Sequence, residues 1–96
     1  MQLGGTFFGT CSSEGSQTTK IVNDCLGFVL YTGASIYVRF TETNTGALSS
    51  LMLNVNNTGA KPIKRYGTTN LNTLDAITAG MVCNFVYDGS YWQWVG

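Results

Sequence analysis

The chain has 96 residues, the length of one domain. Its charged share of 10% is far below the usual figure of about 25%. Five basic residues balance five acidic ones, so net charge is zero, which gives little drive toward nucleic acid or an anionic membrane. There is no histidine, which removes Ser-His-Asp and Cys-His catalysis.

Residues 1–19 are rich in Gly, Thr and Ser and read as an extended arm, with a short strand at Gly5–Thr10. Met1–Thr6 lacks the basic start and apolar core of a signal peptide, and no apolar run approaches the ~20 residues of a membrane span. Lys20-Ile21-Val22 is a strand candidate. Asp24–Gly27 is a break, Phe28-Val29-Leu30 is a second short apolar run, and Thr32-Gly33-Ala34 turns the chain. Ser35–Thr41 has the clearest period-two pattern. Ile36, Val38 and Phe40 point one way, and Tyr37, Arg39 and Thr41 the other.

Glu42–Ser50 is a polar loop. Leu51–Val55 alternates again, with Leu51, Leu53 and Val55 inward. Asn56-Asn57-Thr58-Gly59 reads as a turn rather than a glycosylation site, and Gly59 supplies a positive φ without steric cost. Pro62, the only proline, marks Ile63–Tyr66 as an edge or a strand start, because it has no N–H to donate. Gly67–Asn72 is a loop, and Leu74–Gly80 has room for one helical turn.

Met81–Tyr87 and Tyr91–Val95 flank Asp88-Gly89, a strong hairpin signal. A two-residue type I′ turn there pairs Tyr87 with Ser90, Phe85 with Trp92 and Cys83 with Trp94. Cys83, Phe85, Trp92 and Trp94 then share one face, and Val82, Val86, Tyr91 and Val95 the other. Both faces are apolar, so the hairpin is expected to be covered on both sides, by the core and by a neighbouring subunit. Seven or eight short strands with turns every 8–12 residues indicate an all-β domain spanning 1–96, a small antiparallel β-sandwich or barrel.

The three cysteines, Cys11, Cys25 and Cys83, are too few for a disulfide framework. They read as small buried hydrophobes with free thiols, the alternative being a Cys11–Cys25 bridge. No zinc spacing, calcium loop or phosphate loop is present, so no metal or cofactor is expected. Lys61, Lys64 and Arg65 form the only basic cluster and read as a solvated strand end. Catalysis is not expected, since the acids are scattered and Asp24 and Asp88 sit in turns. The candidate ligand-binding residues are the aromatics Tyr91, Trp92, Trp94, Tyr66 and Tyr37. An aromatic face stacks on the apolar face of a pyranose, and the competing role for the two tryptophans is core or interface packing.

The runs "GASIYVRFT" (Gly33–Thr41), "LNVNNTGAKPI" (Leu53–Ile63) and "FVYDGSYWQWVG" (Phe85–Gly96), with "FGTCSS" (Phe8–Ser13) ahead of them, form an ordered series. It resembles a β-rich module at the C-terminal end of tail-fibre, baseplate and receptor-binding proteins of bacteriophages and prophages. The resemblance implies a virion location after assembly in the host cytoplasm, a homotrimer, contact with other virion proteins and attachment to a host-surface glycan. It supplies no catalytic residues. The alternative is a structural module that trimerises or caps a fibre, or decorates the virion.

Overall fold

The computed structural model describes residues 6–96, so the Gly5 end of the expected first strand lies outside the described residues. The described residues are all-β, with eight strands in one mixed sheet. They are β1 (Thr6–Cys11), β2 (Thr19–Val22), β3 (Ser35–Phe40), β4 (Met52–Val55), β5 (Lys61–Arg65), β6 (Thr69–Asn70), β7 (Val82–Tyr87) and β8 (Trp92–Trp94). Two 3₁₀ turns, Leu48–Ser50 and Thr73–Asp75, are the only helical segments among the described residues. The second falls at the start of the stretch where one helical turn was expected.

The strand order is β4-β2-β1-β3-β7-β8-β5-β6, and an added β4–β5 pairing joins the order back on itself. Seven strands thus form a ring of pairings, with β6 attached to β5. The expectation of an antiparallel arrangement fails at three ladders: β1–β3, β2–β4 and β5–β8 are parallel. A parallel pair needs a crossover, whereas hairpins give only antiparallel neighbours. Here β2 leaves β1 after a single registered pair, Cys11↔Val22, and continues along β4. The chain then crosses back through residues 23–34 to lay β3 beside β1 over six residue pairs.

The short strand expected at Gly5–Thr10 forms, over the described residues, as β1, paired along its whole length with β3, and Gly9 is what allows β2 to approach it. A Cβ there would meet Val22 Cγ1 at 2.3 Å. Phe28-Val29-Leu30 forms no strand; Phe28 and Leu30 instead anchor the crossover by packing on the core. Pro62 lies second in β5, which is not an edge. β5 pairs in succession with β4, β8 and β6, and the edge falls to β6.

The period-two patterns place the core as expected. Ile36, Val38 and Phe40 of β3, and Leu53 and Val55 of β4 with Leu51 before it, are buried. Cys83, Phe85, Trp92 and Trp94 join them on one face of the closing hairpin. The hairpin register differs by two residues. Phe85 pairs with Trp94 and Tyr87 with Trp92, around a four-residue loop. The Asp88 carboxylate accepts from the backbone N–H of Ser90 and Tyr91 at 2.8 and 2.7 Å, and only Gly89 takes a positive φ, 104°. A type I′ turn would need a left-handed Asp88 as well. An even shift keeps every side chain on its face, so the core assignment survives the register error. The opposite face stays open in the single chain: Val82 is 48% and Val95 57% exposed.

The turn at 56–59 forms with Asn56, Asn57 and Gly59 at positive φ. Asn56 also clamps the distant break, with its Oδ1 accepting from Cys25 N at 3.2 Å and its Nδ2 donating to Cys25 O at 2.6 Å.

All three cysteines are free and buried, and no Cys11–Cys25 bridge forms. Lys20 is a different case. It is 1% exposed, and its ammonium reaches Gly15 O at 3.4 Å with no carboxylate partner among the described residues. Burial lowers its pKa below 10.5, with the neighbouring Cys11 acting in the opposite sense. A lone buried ammonium costs more than an apolar group of similar length. Lys20→Met is therefore expected to stabilise the domain by about 1–2 kcal/mol at neutral pH, measured by denaturant titration. A loss of stability would show that the Gly15 contact outweighs the burial cost.

Two groups give the domain opposite pH slopes. Below its lowered folded pKa Lys20 is charged in both states; between that value and 10.5 the unfolded state binds the extra proton, so stability rises with pH. Burial pushes the Cys83 thiol from 9.0 up to about 11. Its contribution is present below pH 9 and is lost as pH rises from there through about 11. In a melting series from pH 7 to 11 under reductant, Cys83→Ala is expected to flatten the alkaline loss and Lys20→Met the rise. Wild-type slopes retained in both variants would refute these assignments.

Candidate functional site

The strands β5 and β6 close a short hairpin in which Arg65 pairs with Thr69 and Lys64 with Asn70. Its tip is Tyr66-Gly67, with φ of 49° and 85°. A left-handed tyrosine is uncommon, and such conformations persist only where their surroundings hold them. The holding group is Gln93 on β8. Its Oε1 accepts from Gly67 N at 3.1 Å, and its Nε2 donates to Gly67 O at 2.7 Å and to Asp88 Oδ2 at 2.7 Å. Asp88 is itself fixed: the Tyr91 N–H above all holds its carboxyl below the ordinary 3.8, against the opposing effect of burial and with help from Ser90 and Gln93.

Beneath the tip lies Arg65. Its Nε donates to Asp75 Oδ1 at 2.9 Å and its Nη1 to Trp94 O at 2.8 Å, while the guanidinium sits 4.5 Å from the Trp94 ring centre. This stacked arrangement, with two N–H edges directed at two different acceptors, suits arginine and not lysine. Asp75 is positioned by the 3₁₀ turn: its Oδ2 accepts from Asn72 N, and Asn72 Oδ1 accepts from Leu74 N, both at 2.9 Å.

The result is a proud aromatic ring between two clefts. Tyr66 is 90% exposed. On one side an open cleft of about 520 Å³ runs past Gly67, Asp88, Gln93 and Trp94. On the other, a cleft of about 340 Å³ runs past Thr69, Asn70, Asn72, Leu74 and Asp75. Arg65 and Tyr66 belong to both walls. Leu74 is almost fully exposed, so an apolar side chain and an aromatic ring stand over a floor of amides. That combination matches a sugar, which has an apolar face and a rim of hydroxyls.

The five expected ligand-binding aromatics do not converge. Trp92 is fully buried, its ring 5.3 Å from Tyr87 and 6.1 Å from Phe28, and it offers no face to a ligand. Trp94 is 5% exposed and forms the floor under Arg65 rather than a platform. Tyr91 is half-buried beneath the Lys64 ammonium, which lies 5.6 Å from its ring centre. Tyr37 is on the outer face of β3, registered with Phe8 and Asn84, and lines neither cleft. Of the five, Tyr66 is the one that stands exposed over a cleft. The sequence reading missed Gln93, Asn70, Asn72 and Asp75. The available signal was Tyr66-Gly67, an aromatic residue followed by glycine just after a strand and ahead of an amide-rich loop. Of the basic cluster, Lys64 donates to exposed Asn70, and Arg65 is held by Asp75 and the Trp94 carbonyl.

A further open cleft of about 400 Å³, lined by Thr10, Ser12, Ser13, Ile21, Asn23 and Asp24, has no aromatic wall. Among the described residues no group of three or more His, Cys, Asp or Glu side chains is placed to hold a metal ion. Compared with protein-family models, curated proteins and solved structures, the chain has no match in any of the three.

Proposed function

We propose that this domain is a non-catalytic attachment module that binds a surface glycan through the Tyr66 hairpin. The observation that carries the reading is Tyr66: a tyrosine held left-handed by Gln93 and almost fully exposed above clefts floored with amides. A backbone cost borne to display an aromatic ring suggests that the ring is used. The setting proposed for it, a bacteriophage tail tip or fibre assembled in the host cytoplasm and meeting the host surface, comes from the sequence resemblance described above. So do contacts with other virion proteins. In this reading the mixed sheet folds on itself as a small sandwich-like body that supports the hairpin. The test is a glycan array, followed by host-cell adsorption with the isolated domain. Binding by the wild type that fails in Tyr66→Ala supports the proposal; binding indifferent to Tyr66 removes it.

One observation favours a second role, as a structural module that trimerises or caps a fibre. The outer face of β1, β3 and β7 exposes Phe8, Tyr37 and Val82, at 54%, 42% and 48%, and Val95 lies exposed after β8. Such a face suits packing against copies of the chain. Mass measured in solution at micromolar concentration separates the two: a trimer supports it, and a monomer removes it while leaving the glycan site untouched.

A further inference from the structure

We infer that the cleft between Tyr66 and the 3₁₀ turn takes a saccharide bearing an anionic, acceptor-only group, a carboxylate or a sulfate, in preference to a neutral one. This rests on the glycan reading above. The argument is the balance of donors and acceptors among the side chains that line the cleft.

The amide and carboxylate acceptors there are already engaged. Asn70 Oδ1 accepts from the Lys64 ammonium, and Asn72 Oδ1 accepts from Leu74 N. Asp75 Oδ1 accepts from Arg65 Nε and Oδ2 from Asn72 N. These partners also fix which way each amide faces, because an ammonium or a backbone N–H can only donate. Each of these oxygens keeps a lone pair, but the open N–H groups outnumber them. The Nδ2 groups of Asn70 and Asn72 make no hydrogen bond to the described residues. Arg65 has five N–H bonds, of which the Nε edge goes to Asp75 and one Nη1 bond to Trp94 O; its Nη2 is uncommitted. The arginine side chain is 25% exposed and lines the cleft, and its guanidinium is stacked on the Trp94 ring.

A neutral sugar hydroxyl brings a donor with every acceptor and leaves such a surplus poorly matched. A carboxylate or sulfate only accepts, and a planar guanidinium meets it in a fixed fork. Charge does not oppose this: among the lining residues Arg65 and Asp75 balance, and the Lys64 ammonium stands beside Asn70. Tyr66 and Leu74 supply the apolar wall for the ring carrying the anion.

The test uses the intact domain on an array of neutral, uronic or sialic acid, and sulfated glycans. The retained glycans are expected to carry an anionic group. For a carboxylated hit, reduction of the carboxyl to an alcohol is expected to weaken Kd at least tenfold; for a sulfated hit, desulfation is. The two arms tell which anion is read. Asn70→Asp keeps the Lys64 contact and the side-chain shape but turns the free donor into an acceptor. It is expected to weaken the acidic glycan at least tenfold with an unchanged melting temperature. Retention of neutral glycans alone, equal affinity after the anion is removed, or no effect of Asn70→Asp would overturn the inference while leaving a glycan site at Tyr66 standing. An array on which nothing is retained overturns the glycan reading, and this inference with it.

Discussion

Trp92→Ala is expected to cost about 3–5 kcal/mol, the range for truncating a large buried aromatic. Trp92 is the largest fully buried side chain, and its ring meets Tyr87 and Phe28. Through Phe28 it also anchors the crossover, since Phe28 packs edge-on against Phe7 of β1 at 5.0 Å. Its strand β8 joins the ring of pairings between β7 and β5. The cavity would therefore open where the crossover, β8 and the core meet, with little slack for collapse. Against the 5–15 kcal/mol typical of small domains, such a loss leaves the fold marginal. Equilibrium denaturation by urea, followed by tryptophan fluorescence from Trp94 and by circular dichroism, measures it. An unchanged midpoint together with lost adsorption would mean that Trp92 is a displayed binding residue, which would contradict its burial.

The opposite behaviour is expected of Tyr66→Ala. A side chain this exposed contributes little to stability, so the melting midpoint should move by no more than about 0.5 kcal/mol. Binding to any retained glycan should weaken at least tenfold, about 1.4 kcal/mol or more, as the stacking face is lost. The pair forms a crossed test. One tryptophan substitution removes the fold, and one tyrosine substitution removes binding alone. If Tyr66→Ala instead unfolds the domain, the Gln93 clamp serves the fold and the displayed ring has no separate role.

The pattern of these expectations follows from what a sequence can carry. The face shared by Cys83, Phe85, Trp92 and Trp94 was legible because side chains alternate along a strand whatever the register. The register itself was not, because Asp88 satisfied two backbone N–H groups with its own carboxylate and opened the turn to four residues. The parallel ladders left no local trace either. The β1–β3 and β2–β4 pairings join segments separated by other strands, and nothing in Thr6–Cys11 alone says which strand it pairs with.

The candidate site was harder still. Size drew the reading to the tryptophans, yet the same size makes Trp92 the best core filler. Tyr66 became the displayed residue through the Gln93 clamp on its neighbour Gly67, 26 positions away, and through a 3₁₀ turn that aims Asp75 at Arg65. The alternatives in the sequence did include this region, since Tyr66 was among the aromatic candidates. What singled it out was its backbone conformation and exposure, both properties of the folded chain.

The most direct measurement of the central claim is a heteronuclear NMR titration of the domain with a glycan retained on the array. Amide shifts are expected to gather at Arg65, Tyr66, Gly67, Asn70 and Asn72, with the Gln93 side-chain amide moving with them. The outer face at Phe8, Tyr37 and Val82 should stay still. Shifts concentrated on that outer face, or on the hydroxyl-lined cleft at Ser12 and Asn23, with the Tyr66 hairpin unmoved, would contradict the assignment of the site.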